Sequence, residues 1–276
     1  MKAGWLALFA SLVVVQPLAA QTSAKEPPRR VVTVNLCLDQ LALRLAAPGQ
    51  LVGVSYLSHD PRLSVLADRA RNVPAARASV EPILELRPDL VIFEASVHAN
   101  LKRLVRAAGV PILEVPWAAS LEEAATLVSL VAGALGRDAE GRALIDDMQE
   151  QRRRLARPEP AAGTAVMLQA NRGTSGKGSL MDELLQLGGY RNLAAELGVS
   201  AYGRLSLEQV LAGQPDLVLL DTEANLHPAR ATEFVGHHAL AGLMEHARLV
   251  SLPIRYSICA GPENFEVLRR LAAVRR

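Results

Sequence analysis

Two doubly wound α/β lobes of similar plan, joined by a long helix, are what this sequence predicts. Three observations carry the prediction. A segment of the first half returns in the second: Ser79-Val80-Glu81-Pro82-Ile83-Leu84-Glu85-Leu86-Arg87-Pro88-Asp89-Leu90-Val91-Ile92 aligns with Ser206-Leu207-Glu208-Gln209-Val210-Leu211-Ala212-Gly213-Gln214-Pro215-Asp216-Leu217-Val218-Leu219. The aliphatic run closing each copy is continuous, the mark of a parallel strand covered on both faces. Between the copies lies a stretch with helical patterning, Ile145, Met148 and Leu155 standing among charges.

The elements follow in order. Residues 1–20 carry a basic start at Lys2, an uncharged apolar run from Trp5 to Val15 and a small-residue exit at Ala19-Ala20, the pattern of a secretory signal peptide cleaved near Ala20. The run is shorter than the ~20 residues that span a bilayer, so the expected location is the periplasm. The first lobe, residues 21–120, opens with strand Val31–Val34 and helix Asp39–Ala46. Ser79 stands ready to cap the repeat's helix and Pro88 to end it. Helix Leu101–Ala108 then leads through Gly109 to strand Pro111–Val115. The interlobe stretch, residues 121–160, reads as helix Leu121–Leu135 behind Ser120-Leu121-Glu122-Glu123, then Ala139–Ala156, about 27 Å long at 1.5 Å per residue. Arg152, Arg153 and Arg154 suit the negative end of that helix, and 158–163 is a Pro/Gly exit. The second lobe, residues 161–276, repeats strand Ala165–Leu168, helix Leu180–Leu187, the Ser206 unit, helix Leu240–His246 and strand Leu249–Leu252.

Composition and motifs exclude several functions. Apolar residues are 50% of the chain, which rules out disorder, and two cysteines in 276 residues rule out a disulfide scaffold. A net charge of +2 with no basic stripe gives no case for nucleic acid. The loop Arg172–Ser179 imitates a P-loop, but Gly178 replaces the Mg²⁺-binding hydroxyl and Asn171 the first glycine. Neither G-x-S-x-G nor H-E-x-x-H occurs, so the chain is expected not to be an enzyme. The six histidines (His59, His98, His227, His237, His238 and His246) leave open a rival direct metal-ion site from His59, His98, His227 and a carboxylate. Cys37 and Cys259 are either a disulfide joining the two ends of the chain or two buried thiols. Glu81 and Glu208 each lie two residues after a serine cap. There they either complement the helix dipole or meet arginines of a two-fold partner.

In this order, Arg30-Val31-Val32-Thr33-Val34, Leu51-Val52-Gly53-Val54-Ser55, the two Glu…Pro-Asp-Leu-Val repeats, Thr174-Ser175-Gly176-Lys177, Leu187-Gly188-Gly189 and Ala260-Gly261-Pro262 resemble the periplasmic solute-binding proteins of cobalamin and iron-chelate ABC importers, from about Arg30 to Val274. The resemblance implies a rigid interlobe helix, a ligand cleft between the lobes, and a monomer that hands a small-molecule metal chelate to an ABC permease dimer with its ATPase subunits. It also implies docking of Glu81 and Glu208 on permease arginines, and no resident cofactor or metal.

Open α/β sheets bind ligands at their strand carboxyl ends. This puts Tyr56, His59, Arg77, Glu94 and Trp117 of the first lobe, and Asn171, Arg172, Tyr202, Arg204, Arg255 and Tyr256 of the second, around the cleft. Tyr202 stands six residues before Glu208, where the cobalamin binders carry an aromatic; Ala75 and Glu94 depart from that pattern. Four arginines and only 4% aromatics favour a ferric siderophore over cobalamin or haem, although Tyr56 or His59 could serve as an axial haem ligand.

Overall fold

The computed structural model describes residues 26–157, 163–220 and 247–274. The signal peptide, residues 158–162, helix Leu240–His246, and His227, His237 and His238 lie outside the described residues.

The first lobe runs β1 (Val31–Thr33), α1 (Leu36–Leu45), β2 (Leu51–Ser55), α2 (Ala67–Ala70), β3 (Ala75–Ala76), α3 (Val80–Glu85), β4 (Leu90–Glu94), α4 (Ala99–Ala107) and β5 (Ile112–Val115). Its strands are all parallel, in the order β3-β2-β1-β4-β5. The order reverses between β1 and β4, so a crevice opens at the carboxyl ends of those two strands. Val31, Val32, Val91, Ile92 and Phe93 are fully buried, which is why their runs do not alternate.

Helices α5 (Leu121–Leu135) and α6 (Asp138–Leu155) follow. Ser120 Oγ accepts the Glu123 N–H at 3.1 Å. Gly136, at φ 69°, closes α5 where any Cβ would stand 2.6 Å from Pro27. The two helices therefore form a hairpin. Gly141 lets α6 lie on α5, since a Cβ there would stand 2.4 Å from that of Ala132. The Leu121 N–H at the start of α5 donates to Glu183 of the second lobe at 2.8 Å, and the longer link to that lobe is α6. Its 18 residues span about 27 Å, and it reaches α7 of the second lobe (Leu180–Leu187) through Arg152 and Glu183 at 3.6 Å.

The second lobe contains β6 (Thr164–Leu168), β7 (Gly173–Ser175), α7, β8 (Arg191–Asn192), α8 (Leu193–Glu196), β9 (Tyr202–Arg204), α9 (Leu207–Gly213), β10 (Leu217–Leu220), β11 (Arg248–Ser251) and a C-terminal helix, Phe265–Val274. A parallel sheet runs β11-β10-β6-β8, and β7 pairs antiparallel with β9.

The repeat has a structural meaning in both lobes. Asp89 accepts the N–H groups of Arg29 and Arg30 at the entrance to β1 (2.7 and 2.9 Å), and Asp216 accepts the Thr164 N–H at the start of β6 (2.7 Å). Each aspartate thus pins the neighbouring parallel strand. Arg87 and Gln214, the residues before the two prolines, leave the helix at φ 45° and 40°. The serines differ. Ser206 forms a capping box with Gln209, but Ser79, expected to cap α3, makes no capping bond. The cause is Pro82 in place of Gln209: it has no N–H to donate at the position a capping hydroxyl serves.

The chain's end is tied back to the first lobe. Cys37 in α1 is bonded to Cys259 across 222 residues, with Cα atoms 5.3 Å apart. Arg44 of α1 meets the buried Glu263 at 3.2 Å. Asn264 donates to the carbonyls of Tyr256 and Cys259 (2.9 and 2.8 Å). Replacing both cysteines by serine should lower stability by about 2–5 kcal/mol. Thermal unfolding, with a thiol count on the unreduced wild type, checks this; two free thiols or an unchanged melting point would refute the tie.

Asp39 is fully buried beneath the turn Tyr56–His59. It accepts from Thr33 Oγ1 at 2.5 Å, Ser58 Oγ at 2.6 Å and the Ser55 N–H at 2.9 Å. Burial outweighs these bonds and pushes its pKa up to about 7. The native state then keeps a proton that the unfolded chain has lost. Its stabilising contribution is full below pH 4 and declines until about pH 7, by on the order of 4 kcal/mol. Asp39→Asn should remove this decline, so that the variant gains on wild type as pH rises from 4 to 7. Urea unfolding across that range checks it, and parallel stability curves would contradict it.

Candidate ligand cleft

The carboxyl ends of both parallel sheets border one cavity of about 180 Å³. Trp117, just after β5, lines it from the first lobe. Tyr202 in β9, Gln169 after β6 and Met181 in α7 line it from the second. Ile254, Ser257 and Ile258, after β11, complete the wall. The cavity is open to solvent, and Trp117 and Tyr202 are 43% and 61% exposed. The cleft walls still desolvate the Tyr202 hydroxyl and raise its pKa, keeping it a neutral donor.

The other expected residues take different places. Tyr56, 62% exposed, stands at the carboxyl end of β2. His59, in the same turn, has Nε2 3.1 Å from the Val73 carbonyl, which occupies that nitrogen. Glu94, the last residue of β4, is buried behind Trp117. Arg77 is exposed just after β3. Asn171 and Arg172 follow β6 with consecutive left-handed conformations, φ 56° and 62°. For an arginine this conformation is uncommon and costs on the order of 1 kcal/mol or more. It is held by the Leu205 N–H on the Arg172 carbonyl at 3.1 Å, beside Arg204, which pairs with Gly173. Tyr256 is half-buried, with the guanidiniums of Arg255 and Arg270 over its ring at 5.1 and 5.2 Å; it is a packing residue rather than an open stacking face.

Glu81 and Glu208 are exposed in the first turns of α3 and α9, one on each lobe. Among the described residues no group of three His, Cys, Asp or Glu side chains could hold a bare metal ion; His227 lies outside them.

Sequence reasoning missed Gln169, Met181 and Ser257. Gln169 was findable as the first residue after a strand. Met181 enters from a helix face, which strand-end reasoning does not reach.

Two parallel α/β lobes, a bridging helix and a cleft at their strand ends define a ligand-clasping binding protein. The chain matches the periplasmic binding protein family over residues 31–245 and belongs to that family, one of binding proteins rather than enzymes. It is 26% identical over 233 residues to the cobalamin-binding protein of Halobacterium salinarum, covering 82% of this chain and 63% of that protein's length. It is 22% identical over 259 residues to YvrC of Bacillus subtilis, an uncharacterized ABC transporter substrate-binding lipoprotein, covering 90% of this chain and 80% of that one. Among solved structures it is similar to the periplasmic heme-binding protein RhuT from Roseiflexus sp. RS-1 in apo form (TM-score 0.69, 25% identity, 89% of this chain and 97% of that one). It also shares its fold with the periplasmic vitamin B12 binding protein BtuF of Vibrio cholerae (TM-score 0.67, 21% identity, 90% and 96%). The chain spans less than two thirds of the length of the haloarchaeal relatives it matches, while the family match covers most of its own residues.

Proposed function

We propose that the protein captures a planar metal macrocycle, of the cobalamin or haem kind, and delivers it to an ABC permease. The observation that carries this reading is the pair Trp117 and Tyr202, exposed aromatic faces from opposite lobes on one cavity. Exposed aromatic rings are costly unless a ligand covers them, and two such walls suit a flat π-system. The cavity is smaller than a tetrapyrrole, so the ring would stand at its opening, between Trp117 and Tyr202. The haloarchaeal relative is a cobalamin-binding protein and RhuT a heme-binding protein, which supports this cargo. A ferric siderophore is the second reading. Arg77, Arg172 and Arg204 are exposed with no ion pair among the described residues, and an anionic chelate would pair with them.

Replacing Trp117 and Tyr202 singly by alanine should weaken binding of cyanocobalamin or haemin at least about tenfold each. An absorption titration measures this, and unchanged affinity in both variants would remove the stacking cleft.

Delivery would use Glu81 and Glu208, one exposed carboxylate per lobe at equivalent positions of the repeat, meeting arginines of a two-fold permease. In a proteoliposome assay, Glu81→Arg with Glu208→Arg should abolish uptake while leaving ligand affinity within about twofold. Transport at the wild-type rate would refute the docking role.

A further inference from the structure

Behind Trp117 lies a second, much smaller cavity, bordered by Asn35, Cys37, Glu94 and Ala260. It sits where the strand order of the first lobe reverses, Asn35 following β1 and Glu94 ending β4, the position at which open α/β sheets receive ligands. Its volume of about 10 Å³ admits one water-sized group. Trp117 lines both cavities, so a ligand packed on Trp117 lies next to this socket.

The socket is chemically defined. Glu94 is only 6% exposed. One carboxylate oxygen accepts from the N–H and Oγ of Ser96, at 2.8 and 2.5 Å. The other accepts no hydrogen bond among the described residues, and no cation pairs with Glu94 there. Asn35 spends its side-chain oxygen on the N–H groups of Cys37 and Leu38, at 2.8 and 3.4 Å, which leaves its amide N–H groups as donors. The second Glu94 oxygen still reaches solvent, so a ligand N–H can take the place of water there. The acceptor of Glu94 and the donor of Asn35 together complement a carboxamide, and a carboxylate placed there would face Glu94 as a like charge.

We propose that Glu94 is a specificity residue. It accepts a hydrogen bond from an N–H donor at the edge of the bound macrocycle and so selects carboxamide-edged macrocycles over carboxylate-edged ones. The proposal rests on the macrocycle reading above.

The test uses two probes, cyanocobalamin, whose ring edge carries carboxamides, and haemin, whose edge carries carboxylates. The expected result is tighter binding of cyanocobalamin by wild type. Glu94→Gln, nearly the same shape, should weaken cyanocobalamin about tenfold and strengthen haemin. Glu94→Asp keeps the charge and should not strengthen haemin. A melting temperature within a few degrees of wild type shows that each variant is folded. If Glu94→Gln leaves both affinities within twofold, or moves them in the same direction, the role of Glu94 falls while the macrocycle reading stands. If wild type binds neither probe, both readings fall.

Discussion

Burial of apolar surface does not stop at the boundary between the lobes. Leu38, Leu41 and Ile92 of the first lobe, Val128 and Val131 of α5, Met148 of α6, and Leu184, Leu217 and Leu271 of the second belong to one connected core. A core that crosses an interface resists relative motion far more than the polar surfaces usual between domains. The cleft is therefore a groove cut into one body. Its depth is set by where the two sheets end rather than by how far two separate domains swing apart. The disulfide and the Arg44–Glu263 pair add a second tie between α1 and the end of the chain. The segment bearing Arg255 and Tyr256 is thereby held to α1 as well as to its own lobe.

Within this frame the sparse aromatics acquire a division of labour. Phe93, Phe265 and Tyr190 fill the core, and Tyr256 packs beneath two arginines. Tyr56, Trp117 and Tyr202 are left outward, at strand ends or in the small β7–β9 pair beside the cleft. Composition counts rings without locating them. The low aromatic fraction argues against a stacking cleft only if the rings are spread evenly, and here they are not. The packing of the lobes is carried by Val, Leu and Ala, which leaves Tyr56, Trp117 and Tyr202 on the surface.

Much of the fold was legible because it rests on local chemistry. The repeated Pro-Asp-Leu-Val units, the Ser120 cap and the continuous aliphatic runs all act over a few residues, and α5, α6, β4 and β10 lie where these signals put them. Ser79 shows the limit of reading by analogy between copies. One proline three residues later removed the donor its hydroxyl needed. The two-residue strands β3 and β8 carry too short a pattern to read. In the cleft, strand ends pointed to Trp117, which lines the cavity. They said nothing of whether a side chain turns inward. Glu94 went down behind Trp117, and Tyr256 went under Arg255 and Arg270. The pairing of Cys37 with Cys259 depends on contacts 222 residues apart, which no local signal reports.

A flat metal macrocycle held intact in the cleft would copurify with the protein. Expressing the exported protein in cells that supply corrins, porphyrins and siderophores, and recording the absorption spectrum and mass of what copurifies, tests it most directly. One corrin or porphyrin per chain, with its characteristic bands, is the expected result. A ferric catecholate band, or metal retained after all organic chelator is stripped, would contradict it.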